Sequence, residues 1–289
     1  MSRIAYVNGR YVPQPHASVN IEDRGYQFAD GIYEVLYYRH GRFIDEDLHL
    51  DRLDRSLKEI RLRPPMGRAA LKHVLQEVAR RNRIGEGLLY MQITRGVARR
   101  DHVFPADETP PALVVTIRRV APYPTDVTQW TMSAITCPDE RWARCDIKSV
   151  GLLPNVLARQ AAREQGAGEA ILVDAAGTVM EGAATSFWIV DANGTLRVRH
   201  LDNHILPGCT RGALLTLLAD TDIAFEEKAF TTEDMRTAKE AFITSATSFI
   251  KPIVKIDGET IGDGTPGPVT TRLFELFARH VQGGLRNAA

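Results

Sequence analysis

The sequence predicts an α+β protein built from two domains. Its 289 residues exceed the size of most single domains, and strand patterns alternate along the chain with helical ones. A proline-rich segment, Ala121-Pro122-Tyr123-Pro124-Thr125, falls between two such series, and its prolines stiffen an extended backbone. We therefore predict an N-terminal domain over residues 1–120, a linker over 121–127 and a C-terminal domain over 128–289.

The N-terminal half is predicted to contain two hairpins, two helices and two further strands. Asn8-Gly9 and His40-Gly41 each separate two strand-like segments, and an Asn-Gly pair suits the positive φ angles of a type I′ turn. Apolar residues at helical spacing predict one helix over residues 48–60, which Asp45 can cap, and another over 71–78. The further strands are expected at residues 88–94 and 112–117.

The C-terminal half is predicted to mix strands with three helices. The strands are expected at residues 130–135, 170–174 and 186–190. One helix is expected over residues 156–164 and ends before Gly166, and a short one begins at Thr210. A longer helix is predicted to begin at Pro268, because the first turn of a helix tolerates proline.

Composition excludes several classes of protein. The 36 basic and 36 acidic residues give no net charge, so no overall field attracts nucleic acid or another polyanion. No apolar run approaches the roughly 18 residues of a membrane-spanning helix, and residues 1–12 lack a signal-peptide pattern, which predicts a cytoplasmic protein. Three cysteines without a CxxC pair suit a reducing compartment. No spacing of His, Cys and carboxylate residues predicts a metal site.

Two loops and one helix face could bind an anion. Pro207-Gly208-Cys209-Thr210 leads into an apolar helix, where backbone N–H groups and the helix dipole favour a phosphate. Residues 244–248, which include Ser245 and Ala246, offer further N–H and hydroxyl donors. Arg52, on the same helical face as His49, would add a guanidinium. Each feature alone also fits a capped helix, a polar turn or a solvated face.

Lys148 and Glu181 are the two side chains with the clearest chemical potential. Lys148 is one of seven lysines and lies among small and apolar neighbours, which could desolvate it and make it a Schiff-base nucleophile. Equally, its stem could be buried while its ammonium reaches solvent. Glu181 precedes Gly182 and two alanines too small to shield it. It is either a solvated carboxylate at a strand end or, beside an aldehyde cofactor, the partner of a pyridine nitrogen.

Five motifs, in this order, resemble those of the fold-type IV pyridoxal-phosphate enzymes. They are DRGYQFADGIYE from Asp23, HLDRL from His49, CDIKS from Cys145, Glu181-Gly182, and LPGCTR from Leu206. The resemblance extends from about Tyr6 to about Leu276, nearly the whole chain. Within the family the chain looks most like the D-amino acid aminotransferases, because Arg100-x-His102 stands in the loop after Thr94-Arg95-Gly96, where a carboxylate could bind.

This resemblance implies a two-domain fold-type IV enzyme that binds pyridoxal 5′-phosphate at the domain interface and forms a homodimer. Lys148 would form the Schiff base and carry a proton between the substrate Cα and the cofactor C4′, while Glu181 would pair with the pyridinium nitrogen. The implied phosphate ligands are Arg52, Cys209, Thr210, Ser245 and Ala246, with Leu206 packed on the ring. The implied carboxylate ligands are Tyr33, with Arg100 and His102 of the partner subunit.

The implied reaction is a ping-pong transamination from D-amino acids, such as D-alanine or D-glutamate, to 2-keto acids such as 2-oxoglutarate. The same fold leaves open a branched-chain L-amino acid or (R)-amine transaminase, and a lyase similar to aminodeoxychorismate lyase. A binding protein without catalysis would leave the motifs unexplained. Ala183, Ala184 and Ala246 replace hydroxyl residues found in relatives, and Asp101 could pair with Arg100 or His102.

Overall fold

A computed structural model describes residues 3–283, which form two units. Unit 1 comprises the described residues up to Pro122 together with Ile147–Gly151, and unit 2 comprises Tyr123–Asp146 and the described residues from Leu152 on. The boundary after Pro122 falls inside the predicted linker. Residues 1–2 and 284–289, at the ends of the predicted domains, lie outside the described residues.

Segment Ile147–Gly151 belongs to unit 1, whereas the predicted domains were continuous stretches that assigned it to the C-terminal one. Backbone hydrogen bonds explain the difference. Tyr33 donates its N–H to the carbonyl of Lys148 at 3.0 Å, and Val150 donates its N–H to the carbonyl of Gly31 at 3.1 Å. The segment therefore pairs with a strand that lies more than a hundred residues earlier in the chain.

Unit 1 is built on a six-stranded antiparallel sheet. Its strands are β1 (Ile4–Val7), β2 (Arg10–Pro13), β3 (Gly31–Arg39), β4 (Arg42–Phe43), β5 (Glu86–Thr94) and β6 (Ala112–Arg119), in the order β2-β1-β6-β5-β3-β4. Its helices are α1 (Arg24–Phe28), α2 (Glu46–Glu59) and α3 (Arg68–Arg81). Leucines and valines on one face of α2 and of α3 share a core with residues of β3, β5 and β6.

Both predicted hairpins of unit 1 are confirmed. Asn8 and Gly9 have φ angles of 45° and 92°, and His40 and Gly41 have 43° and 93°, as a type I′ turn requires. Helix α2 begins after Asp45, but the Asp45 side chain makes no capping hydrogen bond. Its φ of 54° lies in the left-handed region, away from the extended conformation of an ordinary N-cap residue.

Unit 2 is built on a nine-stranded mixed sheet. Its strands are β7 (Met132–Pro138), β8 (Glu169–Val173), β9 (Val179–Gly182), β10 (Ser186–Val190), β11 (Leu196–Val198), β12 (Phe225–Glu227), β13 (Glu240–Ser245), β14 (Phe249–Ile256) and β15 (Glu259–Thr260). The order is β12-β11-β10-β13-β14-β7-β8-β9, with β15 paired to β14. Three pairs are parallel, namely β11 with β12, β14 with β7, and β7 with β8.

Three helices of unit 2 begin close to the predicted positions, and a fourth was not predicted. They are α4 (Leu153–Glu164), α5 (Cys209–Leu218), α6 (Thr232–Arg236) and α7 (Pro268–Gln282), of which α6 is the one not predicted. Gly166, with a φ of 73°, follows the end of α4 as predicted. Within residues 3–283, no helix combines the length and the apolar character needed to cross a membrane.

Candidate functional site

Lys148 is held in unit 1 by both β3 and α2. Its carbonyl accepts the N–H of Tyr33 at 3.0 Å, and its own N–H lies 3.4 Å from the hydroxyl of Ser56. Its Nζ lies 4.2 Å from the centroid of the Tyr33 ring. The side chain is half-buried, and the Tyr33 ring stacks in turn on Tyr90, 5.7 Å away. The structure thus brings together Lys148 and Tyr33, two of the residues singled out from the sequence.

Arg52 lies one turn before Ser56 on α2 and is bound by a buried carboxylate, Glu34. Nε and Nη2 of Arg52 donate to the two oxygens of Glu34, each at 2.8 Å, and Nδ1 of His49 lies 2.7 Å from Oε2. Glu34 is fully buried. Burial raises the pKa of Glu34, but the charge and hydrogen bonds of Arg52 and the contact with His49 outweigh it and lower the pKa to about 2.

Glu34 was not singled out from the sequence, although a signal was present. On β3, Glu34 alternates with Ile32 and Leu36, both fully buried, so the two-residue period of a strand directs it towards the core. A carboxylate at such a position needs cationic partners. His49 and Arg52 supply them, so their shared helix face is buried and not solvated.

Glu181, on β9 of unit 2, is buried and bound by two donors. Nη1 of Arg141 lies 2.5 Å from Oε1 of Glu181, and the backbone N–H of Leu206 donates to the same oxygen at 3.1 Å. An ionised carboxylate only accepts hydrogen bonds, which matches these two donors. Glu181 is therefore a fixed, partnered group and not the solvated strand-end carboxylate of the alternative interpretation.

Arg141 and Asp139 were missed at the sequence level. Nε and Nη2 of Arg141 donate to the two oxygens of Asp139, at 2.9 and 2.8 Å. Burial raises the pKa of Asp139, but the hydrogen bonds and charge of Arg141 outweigh it, so the pKa is lowered. One guanidinium thus serves both Asp139 and Glu181. No local pattern marks this pairing, because Glu181 is 40 residues away from Arg141 in the chain.

The first turn of α5 presents backbone donors in unit 2. Its N-cap residue is Gly208, which has no side chain to cap the helix. The first N–H groups of a helix lack partners within it and carry the positive end of the dipole. Cys209 and Thr210, both buried, begin this turn. These are the backbone donors on which the predicted anion site depends, and the N–H of Leu206, three residues before Cys209, donates to Glu181.

The second predicted donor loop lies next to α5. A Cβ at Gly208 would come within 2.8 Å of the Ser186 hydroxyl, and Ser186 pairs across the sheet with Thr244, the neighbour of Ser245. The Ser245 hydroxyl accepts the N–H groups of Thr247 and Ser248, which shapes the loop into a tight turn. Ala246, inside this turn, can offer only its backbone N–H. Both loops are thus adjacent at one end of β13.

Arg100 and His102 lie on the exposed loop after β5 in unit 1, and both approach the ring of Phe28. In the described part of the chain, no hydrogen bond, ion pair or ring contact links Tyr33 to either of them. The structure therefore places Arg100 and His102 against one aromatic ring, and within the chain it does not join them to Tyr33, which was expected to meet these residues of a partner subunit.

Comparisons with known proteins extend over most of the chain. The family model for class IV amino-transferases matches residues 31–256. The D-alanine aminotransferase of Staphylococcus haemolyticus is 39% identical over 277 residues, covering 96% of this chain and 97% of that protein. The D-alanine aminotransferase of Bacillus licheniformis is 40% identical over 281 residues, with coverages of 97% and 95%.

A solved structure shows a similar fold. The branched-chain aminotransferase of the thermophilic archaeon Thermoproteus uzoniensis, solved with norvaline, has a TM-score of 0.85 and is 26% identical. The match covers 99% of this chain and 97% of that one. Together with the two relatives, it extends the similarity over both units.

Proposed function

Since this chain belongs to the class IV aminotransferase family, we propose that it transfers the amino group of D-amino acids, such as D-alanine and D-glutamate, to 2-keto acids such as 2-oxoglutarate. The D-alanine aminotransferases that match almost the full chain support this substrate class. One structural observation carries the proposal. Leu206 donates to Glu181 and stands three residues before Cys209, so a ring-binding carboxylate and a phosphate-binding helix turn belong to one continuous feature.

The residues present fit pyridoxal 5′-phosphate, the cofactor of this family. The turn of α5 without a side-chain cap suits a phosphate dianion. Glu181, bound by Arg141, suits a protonated ring nitrogen. The residues that we propose hold the cofactor are Arg52, Lys148, Glu181, Leu206, Cys209, Thr210, Ser245 and Ala246.

When bound, the cofactor supplies an aldehyde for the amino group and a ring that withdraws electrons from the substrate Cα. The chain controls where protons go. Nζ of Lys148 would carry the proton between the substrate Cα and the cofactor, and Glu181 would keep a proton on the ring nitrogen. The same groups act in the reverse direction on the second keto acid, so ping-pong kinetics are expected.

In this proposal, the protein recognises its substrates by their carboxylate group. Tyr33 of one subunit would bind it together with Arg100 and His102 of the partner subunit, with charge from the Arg100 guanidinium and directional hydrogen bonds from all three. The side of the Cα on which the carboxylate is held, relative to Lys148, decides which enantiomer presents its Cα proton to Nζ. The loop that carries Arg100 therefore determines the preference for D over L substrates.

We further propose a homodimer in the cytoplasm. Ile21, Tyr26 and Val103 are 78%, 77% and 72% exposed on unit 1, around the loop that carries Arg100, which supports a protein partner there. Since the resemblance assigns Arg100 and His102 to the partner's site, a second copy is the natural occupant. All three cysteines are free, which supports a reducing compartment.

A donor screen tests the proposed function. The protein loaded with pyridoxal 5′-phosphate is supplied with 2-oxoglutarate and with either enantiomer of alanine, with L-leucine, or with an (R)-amine, and the keto product is measured. We expect kcat/KM for D-alanine to exceed that for L-leucine by roughly a hundredfold or more. The Lys148→Ala variant should show neither turnover nor the visible band of the lysine-bound cofactor.

Other results would assign the protein differently. A preference for L-leucine would make it a branched-chain transaminase, and a preference for the (R)-amine would make it an amine transaminase. With D-serine added as a further substrate, release of ammonia and pyruvate without an acceptor would indicate a lyase, because that elimination needs no oxidant. Full turnover by the Lys148→Ala variant would remove Lys148 from the mechanism.

A further inference from the structure

Phe28, the last residue of α1, is the common neighbour of Arg100 and His102. The Cζ of Arg100 lies 5.0 Å from the centroid of the Phe28 ring, within the range of a cation–π contact. The His102 ring lies 5.4 Å from the same ring, tilted by 52°. Both side chains are exposed, and within residues 3–283 neither makes a side-chain hydrogen bond or an ion pair. The Phe28 ring is therefore the surface against which both are oriented.

The ring is itself fixed by a buried arginine. The Cζ of Arg24 lies 4.8 Å from the Phe28 centroid, and its Nε donates to Asp30 at 2.8 Å. Nη1 of Arg24 donates to the carbonyl of Asp101, the residue between the two cations, at 2.6 Å. One guanidinium thus ties the loop backbone to the aromatic ring that contacts the side chains on either side of Asp101.

Asp30 anchors this arrangement to the rest of unit 1. It also accepts from Nε of Arg95 at 2.8 Å, and Arg95 donates to the carbonyls of Ile60 and Arg61 beyond the end of α2. The Asp101 side chain accepts the N–H of Val103 at 3.3 Å. Among the described residues it forms no ion pair with Arg100 or His102, so it does not compete for them.

We propose that Phe28 is a positioning residue for the substrate carboxylate: its ring holds Arg100 and His102 side by side, so that both can bind one carboxylate group. The inference rests on the proposed function, because it takes Arg100 and His102 as the carboxylate ligands. An exposed arginine without a fixed neighbour samples many rotamers, and that freedom is lost on binding. Orientation by Phe28 removes part of this cost before the substrate arrives.

Phe28→Leu tests this role, since leucine keeps the apolar contact and removes the aromatic face. The half-reaction is followed by the loss of the bound cofactor's visible band, with D-alanine and with D-alaninol, which replaces the carboxylate by a hydroxymethyl group. The substrate concentration at half-maximal rate should rise about two- to fivefold for D-alanine, as expected for loss of an exposed cation–π contact. The value for D-alaninol and both maximal rates should stay unchanged.

Phe104→Leu is the matched control on the same loop. Its ring contacts Arg61 and Arg95, at 4.9 and 3.8 Å, but neither Arg100 nor His102. This variant should leave the half-maximal concentrations and the maximal rates of both substrates unchanged. Phe28→Tyr keeps an aromatic ring and should behave like the unmodified protein. If Phe28→Leu does not fold, Phe28→Met removes the ring with a more adaptable side chain.

Arg100→Ala separates the inference from the proposed function. If it weakens binding of D-alanine selectively while Phe28→Leu and Phe28→Met do not, the positioning role of Phe28 is wrong and the carboxylate site stands. If Arg100→Ala affects both substrates equally, the carboxylate site is wrong and the role of Phe28 is lost with it. If Phe28→Leu raises the substrate concentration at half-maximal rate equally for D-alanine and D-alaninol, the inference is also contradicted, because the effect does not depend on the carboxylate.

Discussion

Glu181 and Asp139 share a single cation, Arg141, in the interior of unit 2. Their carboxylates approach the same guanidinium from Nη1 on one side and from Nε and Nη2 on the other. Removing the arginine would take a cationic partner away from the buried Glu181 and the half-buried Asp139, and a buried carboxylate that loses a partner costs more than the lost contact itself. We therefore expect Arg141 to hold Glu181 in the position from which it would contact the ring nitrogen of the cofactor.

Replacement of Arg141 by methionine is expected to weaken cofactor binding. Without the guanidinium, Glu181 loses its ion pair with Arg141 and is held less firmly, so we expect the Kd of pyridoxal 5′-phosphate to rise about tenfold or more. Titration of the cofactor-free protein, followed by absorbance, measures this. Arg272→Met is the control, because Arg272 pairs with Asp222 on the exposed surface of unit 2. Equal Kd values for the two variants would contradict the role given to Arg141.

At the scale of elements, β3 organises unit 1. Its alternation turns Glu34 into the core, where it binds Arg52, while the neighbouring residue Tyr33 lies beside Lys148. Its first residue, Gly31, accepts the N–H of Val150 and so holds the segment that carries Lys148. A Cβ on Gly31 would come within 2.6 Å of the carbonyl oxygen of Ile93 on β5. Glycine is required there because two backbones approach too closely for a side chain.

Gly31→Ala is expected to disturb both the β3–β5 pairing and the Lys148 segment. Overpacking of this kind costs about 1–3 kcal/mol, and urea unfolding followed by circular dichroism should show a loss of that size. Gly85→Ala serves as the comparison, since a Cβ there meets nothing closer than 3.9 Å. Unchanged stability of Gly31→Ala would mean that β3 and β5 can separate without penalty.

At the scale of the whole molecule, the acidic and basic residues are equal in number, and some of them form buried ion pairs. Unit 1 buries Glu34 with Arg52 and His49, and unit 2 buries Glu181 with Arg141. Because the pKa of Glu34 falls from an ordinary 4.5 to about 2 on folding, its ionisation stabilises the folded state. This contribution is complete above pH 4.5 and is lost as the pH falls towards 2.

Glu34→Gln is expected to lower stability in a pH-dependent manner. The shift in the pKa of Glu34 corresponds to about 3 kcal/mol in the free energy of unfolding at pH 7. The difference in this free energy between the variant and the unmodified protein should shrink as the pH falls below about 4.5. Urea unfolding at a series of pH values measures it. Glu77→Gln, at a surface cluster with Arg80 and Arg81, should have a much smaller effect. A loss for Glu34→Gln that is constant between pH 7 and pH 3 would contradict the assignment.

Most elements with a local signal were predicted, although α6 was missed despite the capping box formed by Thr231 and Asp234, and several elements without a local signal were missed. The hairpins at Asn8-Gly9 and His40-Gly41 depend on turn residues that act within four positions of the chain. By contrast, β14 contains Pro252 opposite Phe242 in the interior of the sheet, a residue that argues against a strand. Strands β11 and β12, of three residues each, are too short to show a period. Their pairing within the sheet makes these segments extended: β14 lies between β13 and β7, and β11 lies between β10 and β12.

The sequence by itself determined the α+β class, most helix and turn positions, and the residue types needed for the chemistry, because these depend on neighbours in the chain. Only the tertiary structure decided which side chains are in contact: Glu34 with Arg52, Arg141 with Glu181, and Phe28 with both Arg100 and His102. It also decided that the segment around Lys148 joins unit 1. Such pairings join residues 18 to more than a hundred positions apart, and tertiary packing, not local propensity, selects them.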